Sequence, residues 1–190
     1  MSIEDVDDRR EYYRIEDRIA LQFRVLEEDA ARTGAAPDGD AALFALLSEL
    51  HALDYESQHL LRHIGERDRK LAGYLKIVNR RIDLLGQALA QRLLGELGEP
   101  QPVVLSEGGL SFSSAQPVAV GSRLALKLVL MPQALGLQLR AVVIHCQPRD
   151  DGGYTIGTAF EHLSDAQRQL LARHILQKQA LERRQARQPS

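Results

Sequence analysis

The sequence predicts an α+β protein with a small antiparallel β-barrel, a long helical insertion and a C-terminal helix. Three observations carry this prediction. Short segments with strand alternation stand at 18–26 and from 103 onward, a helical pattern fills 40–98, and a last amphipathic segment follows Ser164. A period of two marks half-buried strands, and a period near 3.6 marks helices. The two kinds of segment are therefore separable by pattern alone.

The composition is that of a globular protein without strong electrostatic bias. The chain has 190 residues, of which 44% are hydrophobic and 26% are charged, with a net charge of −2. This balance gives no field that would favour nucleic acid or an acidic membrane surface. No run of roughly 18 apolar residues is present, so no membrane span is expected. One cysteine, Cys146, and an N-terminus without an apolar stretch favour the cytoplasm.

The helical insertion carries a heptad pattern. A first helix opens near Ala41, and a second, longer helix is predicted to begin near Asp54. One heptad position is held by Leu61, Leu75, Ile82 and Leu89, and the other by Ile64, Leu71, Val78 and Leu85. Such a repeat predicts a coiled-coil oligomer, and leucine in the first set with Val78 in the second favours a tetramer over a dimer. The alternative is an amphipathic helix that packs only on its own domain.

The second half of the chain reads as strands, turns and one helix. Gly95, Gly98, Pro100 and Pro102 end the helical insertion. Strands are predicted at Val103–Leu105, Leu110–Phe112, Leu124–Leu130, Leu137–Cys146 and Tyr154–Phe160. Asp150–Gly153 has the composition of a hairpin turn. Ser164 and Gln167 form a capping box that opens the last helix, and residues 183–190 form a basic tail.

Two short motifs resemble those of the PilZ family. Arg10-Glu11-Tyr12-Tyr13-Arg14 is similar to the family's R-x-x-x-R motif, and Arg9 precedes it. Val104-Leu105-Ser106-Glu107-Gly108-Gly109 is similar to the D/N-x-S-x-x-G motif. The resemblance covers 9–26 and 103–182 and implies one discontinuous barrel with its helix. Residues 40–98 resemble the heptad-bearing insertion of an atypical, tetrameric PilZ subgroup.

The resemblance implies a ligand and the residues that hold it. The ligand is cyclic di-GMP, and the implied binding residues are Arg9, Arg10, Arg14, Ser106 and Gly109. A guanidinium pairs with phosphate and stacks on a purine, which suits the arginines to this ligand. Val104 departs from the motif, because an acid or amide there would read the edge of guanine. By analogy with base readout its loss costs about 1–3 kcal/mol, roughly a fivefold to hundredfold loss of affinity.

Other interpretations of these residues stay open. The arginines lie beside Asp7, Asp8, Glu11 and Asp17 and also fit solvated ion pairs. Ser106–Gly109 also fits an ordinary hairpin turn. His59 and His63 have an i, i+4 spacing suited to metal, but they lack the glutamate of H-E-x-x-H.

No catalytic constellation is predicted. Ser106 has no evident histidine or acid to activate it, and no Walker-type loop is present. The sequence thus predicts a non-enzymatic protein without a cofactor or metal. Two functions remain: a cyclic di-GMP effector that oligomerises, or a degenerate scaffold in pilus or motility regulation that binds no nucleotide. Both imply an unidentified protein partner.

Overall fold

The computed structural model describes residues 13–26, 41–133 and 135–186. Arg9, Arg10 and the end of the basic tail lie outside this part of the chain. The elements in order are β1 Ile15–Leu26, α1 Ala41–Arg67, α2 Arg69–Leu97, β2 Gln101–Leu105, β3 Gly109–Ser114, β4 Arg123–Leu130, β5 Leu135–Pro148, β6 Tyr154–Glu161 and α3 Asp165–Ala186.

The strands form a closed antiparallel barrel in the order β1-β2-β3-β6-β5-β4. The long strand β1 closes it. Its first half pairs with β2, with Ile15 opposite Leu105, and its second half pairs with β4, with Phe23 opposite Leu126. The α+β fold class is confirmed. The strand before the helical insertion and the strands after it belong to one sheet.

Strand alternation directs one apolar row of each strand into the barrel. Leu124, Leu126, Leu128 and Leu130 of β4 are all buried. The Phe23 and Phe112 rings meet inside with their centroids 5.0 Å apart. The helix α3 packs Leu170, Leu171 and Ile175 into the same core. The helix α3 is therefore part of the barrel core. Burial of each such side chain contributes about 1.5–3 kcal/mol to the stability of the fold.

The helical insertion is an antiparallel hairpin, and the predicted helix boundary near Asp54 is wrong. The helix α1 continues through Asp54 and ends at Arg67, and the chain reverses at Asp68. Asp68 caps α2, since its Oδ1 accepts hydrogen bonds from the backbone N–H groups of Lys70 and Leu71 at 2.9 and 3.0 Å. An N-cap satisfies backbone donors that a new helix leaves free. The heptad therefore does not run along one continuous helix.

Contacts along the hairpin define its pairing. Leu50 packs on Gly86 near one end of the seam. The Asn79 amide donates to the Ser57 hydroxyl at 3.5 Å, further along. The seam then reaches Gly65 and Ala72 beside the reversal. One side of α2 therefore packs on its own chain. For that side, the alternative interpretation of the helical pattern applies.

The hairpin rests on the outside of the barrel where small side chains leave room. Ala20 of β1 and Val129 of β4 are paired, and both are buried beneath Phe44, Leu47, Ala90 and Leu93. Gly136 of β5 pairs with Val129. A Cβ added there would stand 3.1 Å from both Phe44 and Leu47. The absence of a side chain at Gly136 is thus part of the docking surface.

The helix cap and the turn that the sequence predicts are both present in the structure. The Ser164 N–H donates to the Gln167 side chain at 2.9 Å, and the Gln167 N–H donates to the Ser164 hydroxyl at 3.2 Å. This is the predicted capping box. Gly98, with a φ of 85°, ends α2, and Gly152 adopts the same φ in the β5–β6 turn. Glycine meets no steric cost at such angles.

Candidate functional site

The barrel register brings the two sequence motifs to one edge. Ile15 lies opposite Leu105, and the strands are antiparallel. Arg14, which precedes Ile15, is therefore the neighbour of Ser106, which follows Leu105. Arg14 is exposed at this edge. The strand register thus sets the backbone of Arg14 next to the first residue of the Ser106–Gly109 turn. Arg9 and Arg10 lie outside the described residues.

The Ser106–Gly109 turn is held by its own hydrogen bonds. The Ser106 N–H donates to the Gly109 carbonyl at 2.9 Å. The Ser106 hydroxyl accepts from the Gly109 N–H at 3.1 Å and lies 3.2 Å from the Gly109 carbonyl oxygen. The proton of that hydroxyl is therefore used inside the turn. What remains for a ligand is an acceptor lone pair.

Gly109 is required by a close crossing of strands. A Cβ at this position would collide with the carbonyl oxygen of Thr158 on β6 and stand 3.2 Å from its carbonyl carbon. The Phe160 N–H also donates to the Gly108 carbonyl at 2.8 Å. The motif glycine therefore has a structural role that needs no ligand.

Val104 presents its side chain to solvent. It is 38% exposed and lies between Glu16 of β1 and Ser111 of β3. An apolar side chain thus occupies the outward position where the motif has an acid or amide. Val104 offers contact area but no hydrogen bond to a ligand at this edge.

The outer row that contains Val104 continues across the barrel. Ser111 pairs with Gly157, and Gly157 pairs with His145. The His145 imidazole covers Gly157 so closely that no Cβ would fit there. A β-bulge lies between Val143 and His145. Sequence reasoning missed Ser111 and His145 as neighbours of the motif, because strand alternation does not tell which strands are adjacent.

A buried polar network ties β1 to α3. The Asp17 carboxylate accepts from the Lys178 ammonium at 2.7 Å and lies 2.7 Å from Nε2 of His174. Asp17 and His174 are both buried. Burial would raise the pKa of Asp17, but hydrogen bonds from His174, Lys178 and the Arg18 N–H together hold that pKa below its ordinary value. In the sequence, helical spacing sets His174 with Leu170, Leu171 and Ile175 on one apolar face. No local pattern pairs it with a residue as distant in the chain as Asp17.

The predicted oligomerisation residues divide between the two helices. Leu61 and Ile64 lie on α1, half-buried, and the other six lie on α2. Leu71, Ile82 and Leu85 are exposed on α2, and Leu85 reaches 67%. Tyr74, Ile77 and Leu84 add further exposed apolar side chains to the same helix. We call these six residues the outer stripe of α2.

His59 and His63 lie side by side on the exposed surface of α1. The His59 and His63 rings meet edge to face, with centroids 4.6 Å apart. Glu66 lies 3.7 Å from His63, but all three side chains are exposed. Within the part of the chain that the structure describes, no group of three or more metal-ligating side chains converges. No described helix is both long and apolar enough to span a bilayer.

The fold defines a small closed barrel with an attached helical hairpin and a C-terminal helix. The family model of the PilZ domain matches residues 80–177, just over half of the chain. The chain belongs to the PilZ family, whose members are cyclic di-GMP receptors and are generally non-enzymatic. The match begins inside α2 and omits β1, which the structure nevertheless pairs with β2 and β4.

Two solved structures are similar to this chain. The first is a pathogenic protein from Xanthomonas campestris, described as a tetrameric PilZ domain self-assembled via an unusual helical bundle. Its sequence is 20% identical to this one. The structural match spans 94% of this chain and 91% of the Xanthomonas chain, with a TM-score of 0.54. The Bacillus subtilis inhibitor of motility is 17% identical over 43% of this chain and 42% of its own, with a TM-score of 0.37. No curated protein matches the sequence.

Proposed function

We propose that this chain is a non-enzymatic signalling protein that self-associates through its helical hairpin. The observation that carries the proposal is the outer stripe of α2, whose large apolar side chains are exposed in the single chain. Contiguous apolar surface of this kind marks an interaction site. The fold is shared with a protein that assembles through a helical bundle, which supports the same use here.

The hairpin geometry suits a bundle of several copies. Each copy contributes two antiparallel helices, so two copies form a four-helix core and four copies an eight-helix one. On α1, Leu46, Leu53 and Leu60 are exposed and seven residues apart, so they share one helix face. Both helices of the hairpin thus carry apolar side chains for a neighbour. We propose a homotetramer, the assembly described for the structurally similar protein from Xanthomonas campestris.

Replacing Leu85 by aspartate is expected to dissociate the assembly. Leu85 is the most exposed residue of the outer stripe, so the single chain should tolerate the change, whereas a buried interface would not tolerate an unpaired carboxylate. Light scattering behind a sizing column should give a multiple of 21.2 kDa for the wild type and 21.2 kDa for Leu85→Asp.

Leu181→Asp is the matched control, since Leu181 is an exposed leucine on α3. It should leave the assembled mass unchanged. A wild type that elutes as a monomer would refute the proposal. An unchanged mass for both Leu85→Asp and Ile82→Asp would place the interface elsewhere.

Cyclic di-GMP binding is the second candidate function. Its support is the position of Arg14 beside Ser106, together with membership of a cyclic di-GMP receptor family. We propose that Arg9, Arg10 and Arg14 pair with the ligand phosphates and that the Ser106–Gly109 turn contacts it. Val104 favours the alternative, because its side chain offers no hydrogen bond to a nucleotide. That alternative is a scaffold in pilus or motility regulation that binds no nucleotide.

Restoring an amide at position 104 is expected to strengthen nucleotide binding. Val104 already faces outward, so Val104→Asn should not disturb the core. Calorimetry should show binding about fivefold to a hundredfold tighter than the wild type, because an amide reads the edge of guanine. Arg14→Ala should weaken binding, and the exposed Arg168→Ala on α3 should not. Absence of heat at high micromolar ligand from both the wild type and Val104→Asn would leave only the scaffold.

A further inference from the structure

The outer face of the barrel carries a histidine that a β-bulge turns outward. Val143 of β5 is buried in the core, so strict alternation would direct residue 145 inward as well. The bulge between Val143 and His145 shifts the register, and Cys146 takes the inward position against the core instead. His145 therefore joins the outer row that contains Ser111 and Gly157. Bulges that re-aim one side chain recur beside functional sites.

The His145 imidazole lies flat on Gly157. A Cβ added to Gly157 would overlap Cε1 and both nitrogens of the ring at once, so it would stand over the ring face and not at the ring edge. Gly157 is buried beneath this contact, whereas His145 itself is only half-buried. One face of the ring is thus occupied by the glycine, and the opposite face points away from the sheet.

The imidazole and a neighbouring hydroxyl are both uncommitted. Among residues 13–26, 41–133 and 135–186, the His145 ring makes no hydrogen bond, ion pair or ring contact, and the Ser111 hydroxyl makes no hydrogen bond. The next hydroxyl of β3, that of Ser113, differs because it accepts from Arg149, which also pairs with Asp151 at 2.8 Å. The cation at the border of this face is therefore engaged, whereas the imidazole and the Ser111 hydroxyl are available to a ligand.

The imidazole lies within reach of the Ser106–Gly109 turn. The strand β3 leaves that turn at Gly109, and Ser111 follows two residues later beside Gly157. With about 3.4 Å per residue along a strand and about 4.8 Å between strands, the ring over Gly157 stands about 8 Å from the turn. Gly109 pairs with Ala159, and these small residues leave the surface low on the way to the ring. A nucleotide whose phosphate lies at the turn can therefore extend its base to the imidazole.

We propose that His145 stacks on a guanine base of the bound nucleotide and that the Ser111 hydroxyl hydrogen-bonds the polar edge of the same base. The inference rests on the proposed binding of cyclic di-GMP. A base presents a flat π-face, and histidine is one of the side chains on which unstacked bases stack. A hydroxyl both donates and accepts, so Ser111 suits the edge of guanine, which Val104 cannot read. The base contact that the motif lacks at position 104 is thus supplied from β3 and β5.

A pair of substitutions separates stacking from the covering of Gly157. His145→Phe keeps an aromatic face and should bind cyclic di-GMP like the wild type in calorimetry. His145→Leu covers the glycine without a π-face, and it should bind about tenfold more weakly. Ser111→Ala should weaken binding about fivefold, because it removes one hydrogen bond. The exposed His63→Ala on α1 is the matched control and should bind like the wild type.

Stacking can also be observed directly, because the chain contains no tryptophan. In His145→Trp the introduced indole is the only one, and a guanine that stacks on it should quench its emission in step with the calorimetric saturation. Leu176→Trp places an indole at an exposed position on α3, outside the barrel sheet, and its emission should stay unchanged on addition of cyclic di-GMP.

The outcomes separate this inference from the function on which it rests. Equal affinity of His145→Phe and His145→Leu would overturn the inference, since the imidazole would then only cover Gly157. Saturable heat without quenching of His145→Trp would overturn it too, and in both cases nucleotide binding would stand. Absence of heat from the wild type and from Val104→Asn would instead remove nucleotide binding itself, and the inference with it.

Discussion

Replacing Asp17 by alanine is expected to lower the free energy of unfolding by about 3–5 kcal/mol, the usual cost of leaving one side of a buried ion pair alone. Asp17 is the shared acceptor of His174 and Lys178, and these contacts tie β1 to α3. Without the carboxylate, the buried His174 loses its partner and α3 loses its polar anchor on the barrel. Chemical denaturation followed by circular dichroism measures the change.

The same experiment at several pH values tests the cause. The pKa of Asp17 lies below its ordinary value of 3.8 in the folded protein, so the folded state favours the carboxylate. This contribution is complete above the ordinary pKa and is lost as the pH falls through the lowered one. The difference between wild type and Asp17→Ala should therefore shrink on acidification below that ordinary value.

Glu16→Ala is the control for both measurements. Glu16 is the neighbouring residue, is exposed on the outer face of β1, and should change stability by less than about 0.5 kcal/mol. If Asp17→Ala were as stable as Glu16→Ala at neutral pH, the network would not be what holds α3 to the barrel.

Replacing Gly109 by alanine is expected to destabilise the barrel by about 3 kcal/mol, the upper range for forcing extra atoms into a packed site. The new Cβ would collide with the Thr158 carbonyl, which is backbone and cannot rotate away. The strands β3 and β6 would have to separate where Thr158 donates to the Leu110 carbonyl at 2.8 Å. Thermal and denaturant unfolding both report this loss.

Gly95→Ala serves as the matched substitution. Gly95 lies in α2 with nothing within 4 Å of an added Cβ, so alanine should stabilise the helix by up to about 1 kcal/mol. A Gly109→Ala protein as stable as the wild type would show that β6 adjusts. Strand packing would then not explain why position 109 is a glycine.

The barrel was accessible from sequence because its signals are local. The Leu124–Leu130 alternation, the Asp150–Gly153 turn and the Ser164 cap each depend on residues within one element or turn, and each appears in the structure. The α3 face was predicted with one error. The helical spacing of Leu170, Leu171, His174, Ile175 and Leu181 predicts one apolar face, but Leu181 is 50% exposed.

The helical insertion shows where periodicity is insufficient. Its helical content was correctly predicted, but the boundary at Asp54 was not. Both Asp54 and Asp68 are possible caps by residue type, and the heptad continues across Asp68 with only one interruption. The choice was made by packing, since a reversal at Asp68 lets α2 return along α1 and bury Phe44 and Leu93 on the barrel.

Some residues of the candidate site have a sequence motif, and others are brought there only by the fold. The R-x-x-x-R and S-x-x-G patterns identified Arg14 and the Ser106–Gly109 turn, and the register sets them side by side. The neighbours Ser111 and His145 and the Asp17 network had no sequence signal. Each joins residues from different elements, and no local pattern specifies such a distance.

By itself, the sequence determined the family motifs, the strands and turns, the helical character of the insertion and the departure at Val104. Only the tertiary structure decided that β1 closes the barrel, that the insertion folds back at Asp68, and that Asp17 meets His174 and Lys178. The physical reason is range. Propensity, capping and alternation act over a few residues, whereas strand order, helix docking and buried ion pairs depend on contacts between segments far apart in the chain.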